Sequence, residues 1–248
     1  MTEKIVVLLK THVWNEDIEK FAMKIRTETY PHGIDFFILM HNNDDQPYDK
    51  IKNDQIKSFV LKFTEAEIKS IYPVGFYSMW MSNHWILMWF YRQYASQYKY
   101  FWSVEYDVRI VGNSSKIWKY QSSYDFLYPL GNYRHAGHIY NDCYVGGKLT
   151  TLGKFRGYLQ IARYSDQALE YLNKCYEEGE NGQDELITFS LLNRGQLTGS
   201  QKFLQSLIRG KWSWENKYSE QNKIIYEKLN ILEKSSRKGN VFILHPIK

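Results

Sequence analysis

An α/β fold with a mostly parallel central sheet is predicted by three features of the chain. Ile5-Val-Val-Leu-Leu9 and Asp35-Phe-Phe-Ile-Leu-Met40 are apolar runs of strand length, and between them Ile18, Phe21, Ala22 and Ile25 recur at helical spacing. That strand, helix, strand succession has the length of a right-handed parallel crossover. Tyr100, Phe101, Trp102 and Val104 form a further run of sheet-favouring types that leads into Glu105-Tyr106-Asp107. A strand this apolar belongs inside the sheet, where carboxylates at its end need a cation, an arginine or hydrogen bonds.

The remaining elements follow in order. Lys10-Thr11-His12 turns the chain, Asn15-Glu16-Asp17 starts the first helix, and Tyr30-Pro31-His32-Gly33 breaks it. Residues 41–47, with Asn43, Asp44 and Asp45, make a polar loop at a strand's C-terminal end, the edge at which open α/β sheets bind ligands. Residues 60–63 read as a short strand and Thr64 as the cap of a short helix. Trp80, Trp85, Trp89, Phe90, Tyr91 and Tyr94 recur at roughly helical spacing and predict a core helix over 76–98. Beyond Gly112 we expect a helical turn at 116–120, a strand at 125–128, and a long polar segment over 133–153 carrying Gly146, Gly147 and Lys148. Residues 158–162 read as a strand. Ser165 caps a helix that stops at Gly179, and Asp184-Glu185 opens another that stops at Gly195. Residues 201–238 are basic and helical, interrupted by Trp212 and Trp214, and a last apolar strand over 241–244 runs into His245. A single domain over 1–248 accommodates all of this.

Composition narrows the function. The formal charge of +5 favours an anionic substrate or membrane surface but falls short of a dedicated nucleic-acid binder, so no nucleic acid is expected. Aromatics at 17% exceed what a core usually demands and often line a cleft. The N-terminus lacks the features of a signal peptide, and the longest apolar run, Trp85 to Tyr91, is far too short to span a bilayer. With only Cys143 and Cys175 there is no disulfide framework and no zinc spacing, which points to a reduced, cytoplasmic setting. Arg209, Lys211, Lys217 and Lys223 beside Trp212 and Trp214 suit peripheral contact with the inner face of an anionic membrane; a solvated helical face explains them more simply.

Three groups of polar residues stand at predicted strand ends or helix starts: Glu105 with Asp107, Asp184 with Glu185, and His245. Carboxylates suit magnesium or manganese, and manganese also accepts an imidazole, so Asp107 and His245 could share an ion. Equally, Asp107 could cap a turn and pair with Arg109. Asp184 and Glu185 could serve as a general base, or merely favour the positive end of a helix dipole. His135 and His138 have ligand spacing but no third ligand nearby.

Taken in order, the polar loop after the first strand, Asn43-Asp44-Asp45 after the second, the D-x-D-like Glu105-Tyr106-Asp107, the Gly146-Gly147 segment, Gln183-Asp184-Glu185 and the late His245 resemble the GT-A class of nucleotide-sugar glycosyltransferases over most of the chain. Trp102-Ser-Val-Glu-Tyr-Asp-Val-Arg109 is also similar to a little-characterised bacterial and viral group assigned to that class. The resemblance implies a three-layer α/β/α sandwich, with a nucleotide-binding half over 1–112 and an acceptor half over 113–248. It implies Mn2+ or Mg2+ at Asp107 and His245, with Glu105 near the ribose or a metal-bound water; the common pattern has Asp where this chain has Glu105. Lys10, Thr11, His12, Asn43, Asp44, Asp45 and Tyr106 would bracket the nucleotide, and Gly146 and Gly147 would lie beside sugar and acceptor. Asp184 or Glu185 would deprotonate a hydroxyl of a glycan or lipid-linked acceptor. Two alternatives stand beside this. A metal-dependent nuclease or phosphoesterase requires a denser acid cluster, and a non-catalytic carbohydrate-binding protein requires Asp107 and His245 to lie far apart.

Overall fold

The first hundred residues alternate strand and helix: β1 (Ile5–Thr11), α1 (Glu16–Thr29), β2 (Asp35–His41), α2 (Asp54–Lys57), β3 (Val60–Phe63), α3 (Glu65–Lys69), α4 (His84–Tyr94) and β4 (Tyr100–Glu105). After a turn at Tyr106 and Asp107 come β5 (Arg109–Val111), α5 (Ser115–Trp118), β6 (Phe126–Leu127), β7 (Gly131–Arg134), β8 (Phe155–Gly157) and β9 (Ile161–Ser165). The chain continues through α6 (Asp166–Glu177), α7 (Asp184–Arg194), β10 (Gly199–Ser200), α8 (Lys202–Leu207), α9 (Ser219–Ser236) and β11 (Phe242–Leu244). This computed structural model describes residues 4–73, 75, 78–134, 154–236 and 239–248. Gly146 and Gly147, like His135, His138 and Cys143, lie outside the described residues.

Seven strands form the central sheet in the order β10-β6-β9-β4-β1-β2-β3. The run β4-β1-β2-β3 and the pair β10-β6 are parallel, while β9 is antiparallel to both neighbours, so the sheet is mostly parallel as expected. Strand β1, between β4 and β2, is apolar on both faces. Val6 and Leu8 face a layer that includes Phe90 of α4, Leu169 of α6 and Ile187 of α7; Val7 and Leu9 face Ile18 and Phe21 of α1 and Trp118 of α5. Two apolar layers, each roofed by helices, make the three-layer arrangement that a parallel sheet requires.

Local signals account for most element boundaries. Asn15 caps α1 by accepting from Ile18 N at 2.9 Å, with Glu16, Asp17 and Glu19 in the first turn, and Gly33 at φ 65° reverses the chain afterwards. Thr64 and Glu67 form a capping box on α3. Ser165 caps α6 through Ala168 N at 3.1 Å.

Two expectations are corrected. The core helix starts at His84, not 76: Ser82 N bonds Ser78 O at 2.8 Å in a turn, and Trp80 stands 63% exposed ahead of the helix. Serine and asparagine at 78, 82 and 83 favour a turn over the helix that aromatic spacing alone suggests. The strand expected at 158–162 begins at Ile161, because its ladder with β4 runs from Tyr100 to Val104 and closes with Glu105 N on Gln160 O at 2.8 Å. The final strand does not join the large sheet; β11 pairs antiparallel with β5 in a ladder of its own.

Arg163 of β9 is a buried charge that periodicity does not announce. Its guanidinium donates to Tyr120 O at 2.9 Å, Ser122 Oγ at 2.8 Å and Tyr124 O at 2.7 Å, and lies 4.3 Å from the Tyr100 ring centre. It thereby ties the loop before β6 to the sheet. Arg163→Met should lower the unfolding free energy by about 3 kcal/mol, since it strands several acceptors at once. Urea denaturation reads this, and a loss under roughly 1 kcal/mol would mean that water replaces the guanidinium.

Candidate active site

A cleft of about 460 Å³ opens at the C-terminal edge of the parallel strands. The ends of β1 and β4, the first turn of α7 and the chain's last residues all contribute to it. Pairing of β1 with β4 sets Lys10 level with Glu105, and Lys10 Nζ lies 3.6 Å from Glu105 Oε1. Asn83 Nδ2 donates to the same oxygen at 2.7 Å. Glu105 is thus held from two sides.

Asp107 and His245 meet because the end of the chain returns. Leu244 pairs with Arg109 across the β5–β11 ladder, and Ile247 N donates to Asp107 O at 2.8 Å. His245 Nε2 then lies 3.3 Å from Asp107 Oδ1, and Lys248 Nζ lies 3.7 Å from Oδ2. Arg109 points elsewhere, donating to Tyr106 O at 2.5 Å and Val108 O at 2.9 Å. Burial pushes the Asp107 carboxyl up, but His245 and then Lys248 outweigh it and hold the group below its usual range.

One ligand atom each from Glu105, Asp107 and His245 lies within 4.8 Å of the others. Asp107 Oδ1 is a buried oxygen without a hydrogen-bond partner, 3.3 Å from His245 Nε2, an arrangement that a bound cation relieves. Two carboxylates and an imidazole are a donor set that fits a divalent cation.

The acids at α7 occupy a different environment. Gln183 caps the helix through Leu186 N at 3.0 Å and donates to Asp184 Oδ1 at 2.7 Å, which also accepts from Glu185 N at 2.7 Å. Asp184 N in turn donates to Met81 O at 2.8 Å. Gln160 Nε2 donates to Glu185 Oε1 at 2.9 Å while Gln160 Oε1 accepts from the buried Trp212 indole at 3.2 Å. Burial raises Asp184 above the usual carboxylate range despite Lys10, and Glu105 adds to the rise. Burial and then the Asp184 charge raise Glu185 likewise. The two acids hold a proton where ordinary carboxylates would have lost theirs.

Lys10, Thr11, His12 and Tyr106 also line the cleft. Thr11 Oγ1 donates to Val13 O at 2.5 Å, and the His12 ring meets Tyr106 edge-on at 5.0 Å. Asn43 braces this corner by donating to His12 O at 3.0 Å. Asp44 and Asp45 are exposed on the loop and do not line the cleft, although the Asp45 charge reaches His12. Sequence reasoning passed over Asn83, Gln160 and Lys248. Only Lys248 carried a signal, as a cation three residues after His245.

Among solved structures, the catalytic domain of Drosophila β1,4-galactosyltransferase 7, solved with xylobiose, aligns with 80% of this chain and 64% of its own at 14% identity and a TM-score of 0.43. A glycosyltransferase involved in glycosylating the major capsid of PBCV-1 aligns with 68% of this chain and 63% of its own, at 11% identity and a TM-score of 0.34. The inositol-1-phosphate CTP transferase of T. maritima aligns with 80% and 84%, at 9% identity and a TM-score of 0.46. The chain spans just under two thirds of the length of the two glycosyltransferases. No protein-family model and no curated protein matches the sequence.

The raised acids make stability depend on pH. A folded state that keeps a proton which the unfolded chain releases above about pH 4 loses stability as pH rises through that range toward the raised values. Asp107 works in the opposite sense, its contribution fading only in acid as pH falls through its lowered value. In chelator, thermal unfolding of the wild type should therefore shift to lower temperature between about pH 5 and 8, and Asp184→Asn or Glu185→Gln should flatten that slope. Equal slopes in wild type and both variants would refute the buried-proton assignment.

Proposed function

We propose that the chain is a metal-dependent glycosyltransferase that moves a sugar from a nucleotide diphosphate sugar to an acceptor hydroxyl, in glycan or polysaccharide assembly. One observation carries this: a donor set for a divalent cation and a pair of proton-holding carboxylates share one cleft at the C-terminal edge of a parallel sheet. Asp107 and His245, with Glu105 beside them, would hold Mn2+ or Mg2+, whose charge would neutralise that developing on the departing diphosphate. Lys10 and Lys248 add ammonium groups on the same side of the reaction.

The acceptor oxygen forms a bond to the anomeric carbon as the bond to the diphosphate breaks, and the electron pair leaves with the diphosphate. The acceptor proton passes to the α7 acids. Glu185 is the better placed to take it, because its side chain is the less completely enclosed of the two, whereas Asp184 is buried with one oxygen held by Gln183 and the Glu185 amide. Residues 1–112 would carry the donor and 113–248 the acceptor, with His245 and Lys248 reaching back to the donor side. A non-catalytic protein that has lost its metal site would separate Asp107 from His245, and here they are 3.3 Å apart. A two-metal phosphoesterase would need further acids, and among the described residues Glu105, Asp107 and His245 form the sole candidate cluster. No helix among the described residues is long and apolar enough to cross a membrane.

A thermal-shift panel of UDP-, GDP- and dTDP-sugars, with and without manganese, tests the proposal; failure of every nucleotide sugar to stabilise the protein in a metal-dependent way overturns it. Asp107→Ala should abolish the metal-dependent shift. Glu185→Gln should keep the shift and lower transfer by about a hundredfold or more, the usual scale of a general base. Wild-type transfer should rise with pH through an apparent pKa above the ordinary glutamate value of about 4.3, because the base must first lose its proton.

A further inference from the structure

Eight tryptophans occur in the chain. Trp14, Trp85, Trp102, Trp118 and Trp212 are at most 6% exposed, and Trp89 packs against the core. The other two, Trp80 and Trp214, are 63% and 56% exposed, and both line the cleft that holds Glu185. A single exposed aromatic needs no explanation, but two indoles kept in water within one concave site indicate a ligand with an apolar face.

Both rings stand on segments tied to the α7 acids. Trp80 precedes Met81, whose carbonyl accepts from Asp184 N at 2.8 Å. Trp214 follows Trp212, whose indole donates to Gln160, which donates to Glu185. The rings at the β1 and β2 ends pack in pairs, His12 with Tyr106 and His41 with Phe63, and neither pair is tied to the α7 acids by one of these hydrogen bonds. Trp80 and Trp214 therefore belong with the base rather than with the nucleotide.

We infer that Trp80 and Trp214 are stacking platforms for the acceptor and that the acceptor is a saccharide, whose ring presents C–H bonds on one face and hydroxyls at its rim. This rests on the proposed glycosyl transfer. Sugar C–H groups cover the indoles while a rim hydroxyl reaches Glu185. A membrane is a poorer occupant, because of the two indoles at 212 and 214 only Trp214 is exposed, and that ring lines the cleft, although Arg209, Lys211 and Lys223 are exposed as well.

Saturation-transfer NMR with methyl β-galactoside, methyl β-glucoside, methyl α-mannoside, lactose and maltose tests this without any donor. Wild type should receive and pass saturation to at least one of them. Trp80→Ala and Trp214→Ala should each weaken that binding by about tenfold or more, the usual consequence of losing an aromatic anchor, with Trp214→Phe in between. Since both rings are exposed, the variants should keep the wild-type unfolding temperature. Wild type that binds none of these saccharides, or alanine variants that bind them as wild type does, overturns the acceptor assignment even where nucleotide sugars stabilise the protein. If saccharides bind and no nucleotide sugar does, the donor reading fails instead. Loss of pelleting with phosphatidylcholine–phosphatidylglycerol vesicles in Trp214→Ala, with saccharide binding intact, would assign that ring to a membrane and overturn the platform.

Discussion

The short antiparallel ladder between β5 and β11 is the constraint on which the cleft depends. Phe242, Ile243 and Leu244 pair with Val111, Ile110 and Arg109, and the pairing carries His245 to the side of Asp107. Apolar contacts secure it, since Val111, Leu244 and Ile247 pack together against Tyr226 and Leu229 of α9. Asn222, fully buried on the same helix, donates to His245 O and to Lys211 O at 2.9 Å each and accepts from Lys211 N at 3.0 Å. At the other end, Gly112 has φ 75°, and a Cβ there would stand 1.9 Å from Asn240 O. Only glycine lets the two strands approach at that corner. The imidazole is therefore placed by packing and backbone pairing.

Within one cleft the protein keeps carboxylates of opposite character. Asp107 is buried but faces His245 and Lys248, so its anion is favoured; Asp184 and Glu185 are buried next to each other and to Glu105, so theirs is not. Lys10 sits between the two sets, touching Glu105 and partly offsetting the rise at Asp184. Its position follows from parallel register, which makes the last residues of β1 and β4 neighbours. On the proposed reading, carboxylates driven apart in this way would divide their labour: the depressed acid would hold a positive charge, and the raised acids would exchange a proton.

The carboxylates of the candidate cation site were legible in the sequence because those of 105 and 107 interrupt an apolar strand, and a strand's period and length are local properties. The caps of α1, α3 and α6 were legible for the same reason, each being a contact over three residues. What local pattern could not carry is any partner brought in by tertiary contact. Gln160 joins Glu185 to Trp212 over 25 and 52 residues of chain, and Asn83 reaches Glu105 over 22. Nothing about a lone glutamine or asparagine announces such a bridge. Aromatic spacing misled at Trp80, since the same residues that repeat along α4 continue into a turn whose backbone bonds are set by Ser78 and Ser82. Asp44 and Asp45 were read from their place at a strand end; both are exposed on the loop whose Asn43 bonds His12, and neither lines the cleft.

The two sets of acids are not independent, because Glu105 belongs to both. Its charge contributes to the rise at Asp184 and at Glu185, and it is also one of the three groups that converge on the candidate cation position. A divalent ion held there would cancel the Glu105 charge and add its own positive potential, so it would lower both raised acids. By linkage, loss of the proton from Glu185 would strengthen the hold on the ion by the same free energy. On the proposed reading this coupling orders the events. With no ion at Glu105 and Asp107 the base would keep its proton, and with an ion held there it would give that proton to solvent more readily and so be ready to accept one from the acceptor.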